Sequence, residues 1–98
     1  MKEATFQKKL LQLLKEIPRS KFFVKEAAAI RGISDIIGCV NGRAVYLEVK
    51  RDQKESLKKT GRIVLQRYFL EQMRMVGAVA EFVYPENHQE ILEILRTL

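Results

Sequence analysis

The chain holds one cysteine, one histidine, two prolines and no tryptophan in 98 residues. A lone Cys39 excludes an internal disulfide and suits a reducing compartment. One histidine, His88, beside one cysteine argues against a zinc site and against a Cys–His nucleophile pair. No apolar run approaches the ~20 residues of a membrane span. Lys8, Lys9 and Lys15 interrupt the region where a signal peptide would carry its apolar stretch, so a cytoplasmic location is expected. Low-complexity segments, internal repeats and long linkers are absent too, and residues 1–98 read as one domain with a modest core. Acid is scarcer than base: 12 Asp and Glu stand against 18 Lys and Arg, a net charge of +6. That balance points to a polyanionic partner, nucleic acid first and a membrane surface second.

What is present centres on residues 32–50. Asn41-Gly42 separates two apolar runs, and this pair is the strongest short hairpin signal because a type I′ turn needs positive φ at both positions. With the turn there, Val40 opposes Arg43, and counting back sets Asp35 directly opposite Glu48. Opposed residues share a face, with Cβ atoms about 5 Å apart, and Lys50, two residues on, joins them. Two carboxylates and an ammonium thus meet at the open end of a hairpin otherwise built from Ile, Val, Leu and Tyr. Both faces of the pair are largely apolar, which predicts a central position covered on both sides. A bulge at Gly38 would shift the register by one.

Around the hairpin, residues 4–17 read as a helix with Phe6, Leu10, Leu13, Leu14 and Ile17 in one stripe, stopped by Pro18. Glu16 falls on its polar side. Glu3 falls within the apolar stripe, either as a charge suited to a helix N-terminus or as a group aimed at a polar site. Residues 21–27 read as a strand with Phe22, Val24 and Glu26 on one face; its Lys25 could contact a phosphate or merely snorkel into solvent. Gly32 punctuates the approach to the hairpin, whose strands cover about 33–40 and 43–50. Residues 51–61 read as a mobile basic loop, either solvated surface or a phosphate-contacting segment, whose candidate contacts are Arg51, Lys54, Lys58 and Lys59, with Arg62 just beyond it. Residues 62–76 read as a helix with a main stripe of Leu65, Phe69, Leu70, Met73 and Val76, and a smaller patch of Val64, Tyr68 and Met75 that hints at a subunit interface. Gln66 lies inside the main stripe, where an amide needs partners. Gly77 ends the helix, residues 78–84 form a last strand before Pro85, and residues 87–98 a closing helix, with Asn87 and Glu90 in a capping-box pattern and His88 in a structural or solvent-facing place.

Carboxylates gathered in an apolar sheet repel each other and resist desolvation. The Asp35–Glu48–Lys50 group is therefore either a structural ion-pair cluster or a cradle for a cation, and oxygen ligands favour a hard ion, Mg²⁺ or Mn²⁺. In a basic chain able to bind a phosphodiester, such an ion suits hydrolysis, with Lys50 placed to orient water and stabilise developing charge.

Asp35 followed after twelve residues by Glu48-Val49-Lys50 resembles the PD-(D/E)XK nuclease motif. Gly32-Ile33-Ser34-Asp35, Leu47-Glu48-Val49-Lys50, Gln66 and Gly77 together are similar to its VRR-NUC branch. The resemblance runs from Glu3 to about Tyr84. It implies an α/β fold of restriction-endonuclease type, an αβββαβ core with a mixed four-stranded sheet flanked by helices. It implies Asp35, Glu48, the Val49 carbonyl and the first-helix residue Glu3 as metal ligands, Lys50 as the catalytic lysine and Gln66 as its supporting glutamine. Ser34 stands where the motif usually has proline, a change expected to leave activity intact. The family further implies single-domain proteins of viral or bacterial origin acting as homodimers on branched DNA, as Holliday junction resolvases do. A nicking or flap nuclease, a less selective nuclease and a non-catalytic nucleic-acid-binding module are the alternatives.

Overall fold

The hairpin forms in the register that the turn arithmetic predicts. Val40 opposes Arg43 and Ile36 opposes Leu47, and the turn residues Asn41 and Gly42 have φ of 48° and 84°. Extended by one residue, the same register sets Asp35 against Glu48, and the Asp35 N–H donates to Glu48 Oε2 there. A computed structural model of the protein describes residues 2–25 and 35–98. The parts of the expectations that concern Glu26, Ala27, Gly32, Ile33 and Ser34 lie outside the described residues.

The elements run α1 (Glu3–Leu14), β1 (Ser20–Val24), β2 (Ile36–Val40), β3 (Arg43–Val49), α2 (Gln53–Ser56), α3 (Gly61–Met75), β4 (Val79–Val83) and α4 (His88–Arg96). The expected αβββαβ order is thus observed, with α4 after it and α2 inserted. The sheet order is β1-β2-β3-β4. β1 and β3 each run antiparallel to β2, which lies between them, whereas β4 lies parallel to β3. A parallel neighbour needs a crossover, and the segment holding α2 and α3 supplies it.

One sheet face carries the core. Val45, Leu47 and Val49 of β3 alternate onto it and meet Phe6, Leu10 and Leu14 of α1 and Ile91, Leu92 and Leu95 of α4 in one buried cluster. The opposite face is closed where α3 lies over it: the Tyr46 ring meets Phe69 edge-on at 5.5 Å. Towards the β1 side that face opens, and Phe23 and Cys39 are exposed. The hairpin is therefore central as expected, but the predicted cover on both sides holds only in part.

Gly38 is not a bulge; it pairs in register with Phe22 and Val45. A Cβ there would stand 2.4 Å from both the Lys21 carbonyl oxygen and Phe22 Cδ1, so glycine lets the Phe22 ring lie across the strand. At the end of α3, Gly77 takes φ 103°. Its N–H reaches the Arg74 carbonyl and that of Ala78 reaches Met73, the two bonds of a Schellman turn into β4.

Four local expectations change. Residues 51–61 are no plain loop, because Asp52 accepts a 2.8 Å hydrogen bond from the Glu55 N–H and starts α2. On α3 the buried line is Ile63, Gln66 and Leu70, while Leu65 and Val76 of the predicted main stripe are exposed beside Val64, Tyr68 and Met75. The inward line is set by contact with β3 and β4, which the helix wheel alone does not know. Asn87 makes no cap bond within α4; its side chain instead joins the Tyr84 N–H and the Phe82 carbonyl. Finally, α1 ends at Leu14, and two shorter-range bonds, Glu16 to Leu13 and Ile17 to Leu14, tighten the chain before Pro18.

Candidate active site

The site forms where β2 and β3 reach the open end of the hairpin. There each acidic side chain serves the other strand's backbone. The Asp35 N–H donates to Glu48 Oε2 at 3.3 Å, and the Val49 N–H donates to Asp35 Oδ2 at 3.0 Å. On the other side of Glu48, Gln66 Nε2 donates to Oε1 at 2.7 Å. Lys50 Nζ stands 3.8 Å from that same oxygen. Glu48, Lys50 and Gln66 are 3%, 4% and 8% exposed, so this is a buried polar cluster. Asp35 is half-buried at its mouth.

Asp35, Glu48 and Lys50 open into a cavity of about 240 Å³ lined also by Glu3, Glu55, Lys58, Thr60, Arg62 and Ile63. The acidic lining comes from α1, the hairpin and α2. The basic lining comes from the start of the crossover and the N-terminus of α3, whose peptide dipole adds partial positive charge.

The electrostatics record the crowding. Burial, and then the charge of Asp35 and a hydrogen bond shared with it, push the Glu48 carboxyl up to about 8, which the Lys50 ammonium offsets only in part. Burial also raises Glu3, reinforced by the charges of Glu55 and Asp35 and opposed by Lys50 and Arg62. Such a carboxylate pair fits a hard divalent cation, whose charge would relieve the repulsion that raises Glu48. Asp35 and Glu48 are the pair that would hold it, with Val49 adjoining. Gln66 Oε1 is buried without a hydrogen-bond partner among the described residues, a spare acceptor in the same cluster. Among the described residues, no three Asp, Glu, His or Cys side chains lie close enough together to share an ion. Glu3 is exposed and lines the same cavity without completing a third arm. Its predicted inward position on the α1 stripe becomes one at the sheet's end.

Of the basic candidates, Lys58 and Arg62 line the cavity. Lys54 and Lys59 are exposed nearby on the same segment. Arg51 is turned to Asp52 and Glu55, each at 3.5 Å. Lys25 continues the β1–β2 ladder by donating its N–H to the Asp35 carbonyl at 2.8 Å. His88 is structural, with Nδ1 2.8 Å from the Pro85 carbonyl and its ring edge-on to Phe6. Glu55, Thr60 and Ile63 are lining residues that the sequence reading missed. Glu55 had a signal: Asp52-Gln53-Lys54-Glu55 has the spacing of a capping box, which marks a helix start and so orders Glu55.

No family model matches the chain, and neither a curated protein nor a solved structure matches it. The class defined by the fold is a mixed α/β domain with a four-stranded sheet flanked by helices. Among the described residues no helix is long and apolar enough to cross a membrane.

Proposed function

We propose that the chain is a Mg²⁺- or Mn²⁺-dependent DNA endonuclease of VRR-NUC type, acting as a homodimer on branched DNA with four-way junctions preferred. The observation that carries the reading is the buried Glu48 and Lys50 with the half-buried Asp35, which together line a cavity also lined by Lys58 and Arg62. A purely structural ion pair would settle its carboxylate; here Lys50 Nζ stands 3.8 Å from Glu48, yet burial and the neighbouring Asp35 still drive Glu48 up to about 8. Asp35, Glu48 and the Val49 carbonyl would hold the ion. Bound there, it would acidify water and neutralise charge on the phosphodiester. Gln66 fixes the orientation of Glu48 through its 2.7 Å bond. Lys50 orients the attacking water and stabilises the charge that develops on phosphate. Lys58 and Arg62 seat the neighbouring backbone, with Lys54 and Lys59 extending the track.

The dimer would use the outward side of α3. Tyr68 and Met75 are 59% and 78% exposed there, alongside Val64, Leu65 and Val76, an apolar face of the sort that marks an interface.

A labelled four-way junction, a flap, a nicked duplex and a linear duplex, incubated with Mg²⁺ or Mn²⁺, test the reading. Cutting is expected for the parent, strongest on the junction, and lowered to a small residual rate for Asp35→Ala and Lys50→Ala. Equal cutting by all three proteins would assign the activity to a contaminant. The exposed basic segment favours one other reading, a non-catalytic nucleic-acid-binding module. That module would bind DNA with strong salt dependence, need no divalent ion and leave every substrate intact.

A further inference from the structure

Phe82 plays no part in the chemistry above, yet it borders the centre of it. In the parallel pairing of β3 with β4 it lies beside Glu48, so its ring shares the sheet face of Glu48 and Lys50. Lys50 Nζ stands 6.0 Å from the ring centroid and 3.8 Å from Glu48 Oε1. Among the described residues these are the contacts of an ammonium only 4% exposed. The carboxylate contact is too long for a hydrogen bond, so the ammonium reaches the cavity with its N–H groups unspent.

A ring face suits that task. It attracts positive charge through its quadrupole and claims no particular N–H, whereas a carbonyl or hydroxyl in its place would take one up. The ring is itself held. Arg67 Cζ lies 5.9 Å from the same centroid, and Arg67 Nη2 donates to the carbonyls of Ser56 at 2.8 Å and Lys58 at 3.3 Å. Phe82 thus touches a side chain from the end of β3 and one from α3 that is tied to the basic segment.

We propose that Phe82 is a positioning residue, whose ring face keeps the Lys50 ammonium beside Glu48 while leaving its N–H groups for substrate and water. The proposal rests on the nuclease reading for its consequence, but its geometry can be tested apart from activity. In NMR spectra of the metal-free protein, the Lys50 ε-methylene protons are identified by their loss in Lys50→Arg. They are expected to show a ring-current shift in the parent and in Phe82→Tyr, and to return to an ordinary lysine position in Phe82→Leu. No ring-current shift in the parent overturns the proposal, whatever the activity.

In cleavage assays, Phe82→Leu is expected to lower kcat about tenfold, or about 1.4 kcal/mol of barrier, with KM unchanged and Phe82→Tyr at the parent rate. In a Lys50→Ala background the Phe82→Leu effect on the residual rate should vanish, because the two residues act as one unit. A loss that survives in that background, falls on KM alone or is shared by Phe82→Tyr overturns the proposal. Phe82→Met replaces the leucine variant if the latter fails to fold. A parent that cuts nothing sinks the nuclease reading, and the ring-current result still decides the position of Lys50.

Discussion

Replacing Glu48 by glutamine should stabilise the metal-free protein at alkaline pH. Burial and Asp35 raise the Glu48 carboxyl from 4.5 to about 8 in the folded chain. The folded state therefore holds this proton more tightly than the unfolded state. Below about pH 4.5 both states are protonated at this position and it costs nothing. As pH rises the unfolded chain ionises first, so stability falls through the interval up to about pH 8 and then levels off. The full displacement corresponds to at most about 5 kcal/mol. The Lys50 attraction is already contained in that figure; relaxation and water entry around the charged carboxylate reduce it, leaving a gain of about 2–3 kcal/mol for Glu48→Gln at pH 9. In a domain of this size that is a rise in Tm of roughly 10 °C. Glutamine keeps an acceptor for the Asp35 N–H, so the comparison removes charge more than contact.

Urea titrations and thermal melts followed by circular dichroism, in a chelator and at intervals from pH 4 to pH 9, measure the effect. The difference between parent and variant cancels the other titrating groups. The two should be close at pH 4 and separate steadily above it. Added Mn²⁺ should then stabilise the parent by about 3 kcal/mol at a hundredfold excess over its Kd and leave the variant unmoved. A parent–variant difference that is flat with pH, or a variant less stable at pH 9, would refute the reasoning.

Gly38→Ala places a methyl group 2.4 Å from Phe22 and the Lys21 carbonyl, and overpacking of this kind should cost about 3 kcal/mol in a urea titration. Lys58→Glu with Arg62→Glu should weaken DNA binding and reduce the slope of log K against log salt by about 2, with the circular dichroism spectrum unchanged. Tyr68→Lys with Met75→Lys should shift the protein towards monomer in analytical ultracentrifugation; a parent that is already a clean monomer at high concentration rejects the α3 interface.

The hairpin was the most legible part of the sequence because its constraints are local. Asn41-Gly42 fixes the turn, the turn fixes the register, and strict alternation then brings Asp35, Glu48 and Lys50 to one face. Gln66 was legible as a polar residue on an inward helix position. Leu65 and Val76 were misjudged because periodicity gives a helix's apolar arc but not which edge of it the sheet meets. Asn87 was misjudged because its amide found the Tyr84 and Phe82 backbone rather than its own helix. Glu55 and Phe82 could not be placed beside the site without knowing that β4 pairs parallel to β3 and that the crossover returns over the cavity.

That mixed sheet also bears on how the protein becomes active. The hairpin that carries the acidic pair closes through a two-residue turn and can form early and fast. The Glu48–Phe82 pairing, by contrast, requires the chain to travel through α2 and α3 before β4 docks, a long-range closure of the slow kind. Phe82 therefore reaches Lys50 only when the sheet is complete. A partly folded chain could display the carboxylates while lacking the ring that positions Lys50, so onset of cleavage during refolding should follow β4 docking rather than hairpin formation.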